Sequence, residues 1–194
     1  MFAAKRLGKE LTKAKQKLPP GIDLVKADDF REWLVDLRVL DSNPLYMNQI
    51  YRLSFLFSES YPIELTSRPL AQVEAPEVVF IRQSASPADP SNPQSSEKPF
   101  AGRPVPIHPH IYSNGIICLD LLGTAGWSPV QSVESVCMSI QSMLTGNTKN
   151  ERPQGDEQFC QSMGVRGPDG WSGGGYRRGR GLKDVRFAYD DDTV

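Results

Sequence analysis

The chain has 194 residues and a mass of 21.6 kDa, enough for one domain whose core needs no disulfide or metal staple. Lysine and arginine number 22 against 23 aspartates and glutamates, and a net charge of −1 argues against a chain built as a whole to bind a polyanion. No apolar run approaches the ~18 residues of a membrane span, and the opening Met1-Phe2-Ala3-Ala4-Lys5-Arg6 does not lead into the apolar core of a secretion signal.

Residues 2–18 are expected to form a helix. Leu7, Leu11, Ala14 and Leu18 recur at i, i+4, i+7 and i+11 and share one face. The remainder carries Lys5, Arg6, Lys9, Lys13, Lys15 and Lys17 against Glu10, a local charge of 6 − 1 = +5. That side reads either as a solvated face or as a docking surface for an acidic partner. Pro19-Pro20-Gly21 stops the helix. Two segments then show a period of two. In residues 30–40, Trp33, Val35, Leu37 and Val39 alternate with Leu34, Asp36, Arg38 and Leu40. In residues 50–57, Tyr51, Leu53, Phe55 and Phe57 alternate with Arg52, Ser54 and Leu56. Residues 77–81 make a third strand. Three strands at such short spacing behind a helix predict an antiparallel meander and an α+β fold.

Residues 82–104 have no periodicity and mix serines with Pro87, Pro90, Pro93 and Pro99, so a mobile surface loop is expected there. Residues 64–73 read as a smaller insertion. A second helix is predicted over about 132–145, with Val133, Val136, Cys137, Ile140, Met143 and Leu144 on one face. Ser128 and Ser132 are its capping candidates, with Gln131 at the reciprocal capping-box position for Ser128. Gly146-Asn147 is a stop signal. From Gly164 to Gly181 there are eight glycines and four arginines, followed by an acidic end at Asp190-Asp191-Asp192. The domain is therefore expected at residues 1–160, with a flexible Gly/Arg-rich tail at 161–194. An arginine–glycine nucleic-acid segment is the alternative reading of that tail, but its repeats are few.

The three cysteines, Cys118, Cys137 and Cys160, have no metal spacing and no CxxC pair; no metal is expected, and the chain reads as reduced, in the cytoplasm or nucleus. Cys137 fits a small buried hydrophobe on its helix face. Cys118 follows a turn, and the only two histidines of the chain, His108 and His110, lie within ten residues of it. Polar groups on an irregular segment around one thiol point to a nucleophile. A cysteine hydrolase is a weaker reading, because its base needs orienting by a third group across the fold.

The run from His108 to Leu122, followed by Trp127-Ser128-Pro129, resembles the active-site region of ubiquitin-conjugating enzymes: His-Pro, a turn ending in Gly, Ile-Cys-Leu, then Trp-Ser-Pro. Tyr61-Pro62-Ile63, the strand around Pro76-Glu77-Val78-Val79-Phe80, and Lys5-Arg6-Leu7 with Glu10-Leu11 extend the likeness over about residues 4–156. The family's Asn after His-Pro is replaced by His110, and the C-terminal region shows no clear pair of closing helices. Both features, with Leu18-Pro19-Pro20-Gly21, Tyr112-Ser113-Asn114-Gly115 and Arg152-Pro153, are similar to the W-type branch.

The resemblance implies a ubiquitin-conjugating fold: an N-terminal helix, a four-stranded antiparallel meander, an active-site loop, a central helix and an atypical flexible C-terminus. It implies that Cys118 carries ubiquitin as a thioester and passes it to an amine, in the W branch the α-amino group of a substrate's first residue. His110 would hold the loop or stabilise the oxyanion, with His108, Asn114, Asp120 and Asp156 in support. Lys5, Arg6, Lys9, Pro62, Ile63, Pro129 and Val130 would dock the activating enzyme and a ligase of RING or U-box type. Implied partners are ubiquitin, those two enzymes and substrates with flexible N-termini. No cofactor is implied, since ATP is used by the activating enzyme. An inactive scaffold that binds ubiquitin or a ligase would normally lack the cysteine. That scaffold is the second reading, and a lysine-directed conjugating enzyme is a further alternative.

Overall fold

The computed structural model describes residues 2–64, 72–83, 102–123 and 126–163. Helix α1, Phe2–Gln16, is followed by strands β1 (Ile22–Lys26), β2 (Glu32–Leu37) and β3 (Tyr51–Leu56), the two-residue strands β4 (Ile63–Glu64) and β5 (Gln72–Val73), and β6 (Glu77–Ile81). A 3-10 turn at Asp120–Leu122 precedes helices α2 (Val133–Thr145) and α3 (Asp156–Met163). One antiparallel sheet runs β1-β2-β3-β6, the four-stranded meander that the resemblance implies.

The period-two pattern sets the sheet's inner face. Trp33, Val35 and Leu37 of β2 and Leu53 and Phe55 of β3 have no exposed surface. They pack with Val78 and Phe80 of β6, Leu7 of α1, and Val133, Val136, Cys137, Ile140 and Leu144 of α2. Each such side chain contributes roughly 1.5–3 kcal/mol on full burial, so this face holds the helices in place. β1 has no counterpart among the three strands expected from the sequence. It is a five-residue edge strand whose register shifts between Leu24 and Lys26, and most of it faces solvent.

The outer face departs from simple alternation. Arg52 and Ser54 do point away from the core, yet both are buried. Asp36 lies directly across from Arg52 in the register. Its carboxylate accepts from Arg52 Nε at 2.7 Å and Nη2 at 3.0 Å, and from Arg103 Nη2 at 2.8 Å. Gln83 and Arg103 exchange backbone hydrogen bonds at 2.9 and 2.8 Å, which ties together the two ends of the serine–proline segment. The expected loop therefore has a fixed base; its middle, 84–101, and residues 65–71 of the smaller insertion lie outside the described residues, as does the tail from 164.

The N-cap of α2 is Ser132: its hydroxyl accepts Ser135 N–H and Ser135 Oγ accepts Ser132 N–H. The Ser128–Gln131 capping box is thus corrected. Gln131 sits outside the helix, and its side chain accepts from Ser135 Oγ at 2.7 Å. At the other end, Asn43 Nδ2 donates to the carbonyls of Thr145 and Asn147. Helix α3 was not legible as a helix. Its eight residues offer only Phe159, Cys160 and Met163 as apolar positions.

Candidate active site

Cys118 sits on a short hairpin built by its own sequence. Gly115 N–H donates to Tyr112 C=O at 2.9 Å and closes the turn Tyr112-Ser113-Asn114-Gly115. Asn114 Oδ1 accepts Ile116 N–H at 3.2 Å, the local bond that asparagine makes in turns. Gly115 has φ +91°, and a Cβ there would lie 1.8 Å from Phe80 O. Only glycine allows this approach, which lets Phe80 N–H donate to Gly115 C=O at 2.8 Å and moors the turn on β6. Behind the turn, Tyr112 N–H donates to Ile116 C=O at 2.9 Å, Ile111 bridges Ile117, and Cys118 N–H donates to His110 C=O at 2.8 Å. Residues 110 and 118 are therefore opposite each other. Directly paired residues project to the same side of an antiparallel ladder, so the substituted family position and the cysteine share one face. Ile111 and Ile117 on the other face enter the core.

The two histidines have separate fates. His110 is exposed. His108 is only 4% exposed, and its Nδ1 accepts His110 N–H at 2.9 Å. The same ring hydrogen-bonds the backbone of Met143 in the last turn of α2. A neutral imidazole has one acceptor and one donor nitrogen, so Nε2–H serves Met143. Burial, reinforced by the nearby His110, pushes the His108 pKa down to about 4. His108 supports the bend as a neutral brace.

Arg152 is a further brace, with no role implied by its sequence neighbours. Its guanidinium donates to the carbonyls of Pro106 at 2.6 Å, Ile111 at 3.0 Å and Val105 at 3.2 Å, and so clamps the strand entering the bend. A lone arginine before a proline is the only signal of it. Asp156 opens α3, and its Oδ1 accepts Ser113 N–H at 2.7 Å at the hairpin tip. Cys160 Sγ lies 3.2 Å from Ser113 Oγ, and Phe159 stacks on Tyr112 with ring centroids 3.8 Å apart. Asp120 is exposed in the 3-10 turn two residues past Cys118.

The three thiols differ in burial. Cys137 is wholly buried in α2, and burial followed by the charge of Glu134 pushes its pKa far up. Cys160 is buried under the hairpin. Cys118 is the half-buried one. Among the described residues, no group of three His, Cys, Asp or Glu side chains is placed to hold a metal ion, and no helix is long and apolar enough to cross a membrane.

The candidate docking residues gather at another corner. Lys5 and Lys9 are exposed on α1, Arg6 is half-buried, Pro62 is buried, Pro129 is half-buried, and Val130 is 82% exposed. The backbone of Ile63 pairs with Val73. Pro62 C=O accepts Trp127 Nε1–H at 3.4 Å, which joins the Tyr61-Pro62 turn to the segment ahead of α2.

This arrangement has known relatives. The ubiquitin-conjugating enzyme family matches residues 6–163. A probable ubiquitin-conjugating enzyme E2 W of Dictyostelium discoideum is 35% identical over 191 residues, covering 98% of this chain and 97% of that protein. The ubiquitin-conjugating enzyme E2 W of Caenorhabditis elegans is 32% identical over 82% of this chain and 86% of that protein. A crystal structure of a ubiquitin conjugating enzyme E2 from Agrocybe aegerita has a TM-score of 0.64 at 35% identity, covering 82% of this chain and 94% of that one. With a family match over most of its length and the meander, hairpin and central helix in place, the chain belongs to the ubiquitin-conjugating enzymes, a family of transferases.

Proposed function

We propose that Cys118 accepts ubiquitin from an activating enzyme as a thioester and passes it to the α-amino group at a substrate's N-terminus. The observation that carries this reading is the hairpin register: it sets the half-buried Cys118 opposite His110, while the other two thiols are buried. In the loading step the Cys118 thiolate attacks the carbonyl carbon of the incoming thioester, a new C–S bond forms, and the activating enzyme's thiolate leaves. In the transfer step an amine attacks the same carbon, the C–S bond breaks, and Cys118 leaves as thiolate while the amine gives up a proton. Exchange between thiols is nearly isoenergetic, so this chain needs no cofactor of its own; ATP is consumed by the activating enzyme.

His110 stands where the family has an asparagine, and its ring N–H is assigned to the oxyanion or to holding the loop. Asn114 shapes the turn. Asp156 already receives Ser113 N–H, so it holds the hairpin, and the role of orienting the amine is assigned to Asp120, an exposed acid two residues past Cys118. Only a neutral amine attacks. At pH 7 an α-amine of pKa about 7.8 is ~14% neutral, whereas a lysine of pKa about 10.4 is ~0.04% neutral. A site that admits a chain end thus needs less help with the proton than one that takes lysine. The relatives from Dictyostelium and Caenorhabditis named E2 W support the same branch. Substrates would have flexible N-termini, and the ligase would be of RING or U-box type.

The test is discharge of charged enzyme onto two peptides, one lysine-free with an open N-terminus and one acetylated with a single lysine. Faster transfer to the first is expected. Equal or faster transfer to the second overturns the preference for N-termini and makes the enzyme lysine-directed.

A further inference from the structure

We propose that Glu10 is the positioning residue of the docking corner: its carboxylate locks α1, the Tyr61-Pro62 turn and the entry to α2 into the one arrangement that the activating enzyme recognises. The inference rests on reading that corner as the docking surface. Glu10 belongs to the basic helix, yet its side chain is turned inward and is only 9% exposed. Its Oε1 accepts Arg6 Nε–H at 2.6 Å and the Tyr61 hydroxyl at 2.9 Å, and its Oε2 accepts Val133 N–H at 2.9 Å. Three chain segments separated by 51 and 123 residues in sequence thus meet on one carboxylate.

Each partner has a physical reason to be there. Val133 is the first residue of α2, and its N–H is one of the donors that a helix leaves unsatisfied at its start. A carboxylate suits that positive end. Burial, then the charge of Glu10, pushes the Tyr61 pKa far up, so its hydroxyl remains a donor. Arg6 balances the carboxylate and also reaches past it, donating from Nη2 to Gln131 C=O at 2.8 Å. Gln131 adjoins Val130, the most exposed large hydrophobic side chain among the described residues. Lys5 and Lys9 present their ammonium groups from the same helix. The surface offered is a cationic helix beside one protruding apolar side chain. It fits a partner with an apolar pocket rimmed by acids, and Glu10 sets the distance between the two features.

The test is the rate of Cys118 charging, measured as a function of this protein's concentration at fixed activating enzyme, for Glu10→Ala, Glu10→Gln and Tyr61→Phe. The expected result is a KM for charging raised about tenfold in Glu10→Ala, with kcat within twofold. Glu10→Gln keeps one acceptor oxygen and should recover part of the loss; Tyr61→Phe, which removes one of three donors, should raise KM only two- to threefold. An unchanged KM in folded Glu10→Ala, or a fall in kcat alone, overturns the proposal. Should Glu10→Ala fail to fold, the graded KM of Glu10→Gln and Tyr61→Phe decides in the same way. Lys9→Glu and Val130→Asp separate the two layers of inference. If neither raises KM, the docking surface itself is misassigned; if they do and the Glu10 variants do not, only the role of Glu10 fails.

Discussion

On the outer face of the sheet, both oxygens of Asp36 are bonded to two buried arginines that come from β3 and from the far side of the long insertion. At the hairpin, by contrast, Asp156 receives a backbone N–H, His110 is exposed and Cys118 is half-buried. The first region pairs its charges inside the protein and has little surface left for chemistry. The second is held through its backbone, by Gly115 against β6, His108 against α2 and Arg152 against three carbonyls. Its side chains at the Cys118 end are thereby kept near water. A site for a large acyl group and an incoming amine needs a rigid frame with an accessible edge, and bracing through main-chain groups provides both.

The contrast is broken most severely at Asp36. Asp36→Ala leaves Arg52 and Arg103 as buried charges without their carboxylate. A loss of about 3–5 kcal/mol is expected by denaturant unfolding, with little change in the charging rate of the folded fraction. The sign with pH follows from the same contacts. Burial raises the Asp36 pKa, but the hydrogen bonds and charges of Arg52 and Arg103 outweigh it and leave the value lowered. Its stabilisation is therefore present above the ordinary carboxyl range near pH 4 and is lost as the pH falls below that range.

His108 sharpens the contrast by titrating in a different window. It is buried neutral, with a pKa of about 4 against roughly 6.5 when unfolded. The unfolded chain takes up a proton first as the pH falls. Stability from this group is complete above pH 6.5, declines between there and about 4, and is level below, for a total of up to about 3 kcal/mol. Unfolding curves across that range should show this decline in the natural chain and lose it in His108→Asn. A decline of the same size in the variant would contradict the brace.

The smallest effect belongs to Asp156. Asp156→Asn keeps an oxygen for Ser113 N–H, so discharge within about twofold of the natural rate, with an unchanged pH profile, is expected. Asp156→Ala removes the acceptor and should slow both charging and discharge. A steep loss of discharge in Asp156→Asn, with charging unaffected, would give the carboxylate a direct part in handling the amine.

Much of this frame is legible in the sequence where a period repeats. α1, β2, β3 and α2 each show enough apolar positions to reveal their spacing, and β6 stands out as an unbroken apolar run. β1 does not, because a five-residue edge strand buries too little to show a pattern, and α3 fails for the same reason. Cys118 and His110 stand out by their neighbours, but the roles of His108, Arg152 and Glu10 do not. Their partners, Met143, Ile111 and Val133, are 35, 41 and 123 residues away in sequence, and no local rule pairs them. Arg52 misleads in a simpler way. Alternation places it correctly on the outer face but says nothing of Gln83, whose side-chain oxygen accepts from Arg52 Nη1, or of Arg103, which shares Asp36 with it.

The proposed function requires Cys118 to be the sulfur that carries ubiquitin. Incubation with ubiquitin, activating enzyme and ATP, followed by electrophoresis with and without reductant, tests it in the natural chain and in Cys118→Ala, Cys137→Ala and Cys160→Ala. A reductant-sensitive adduct is expected in all but Cys118→Ala. An adduct that survives in Cys118→Ala, or none in the natural chain, would contradict it.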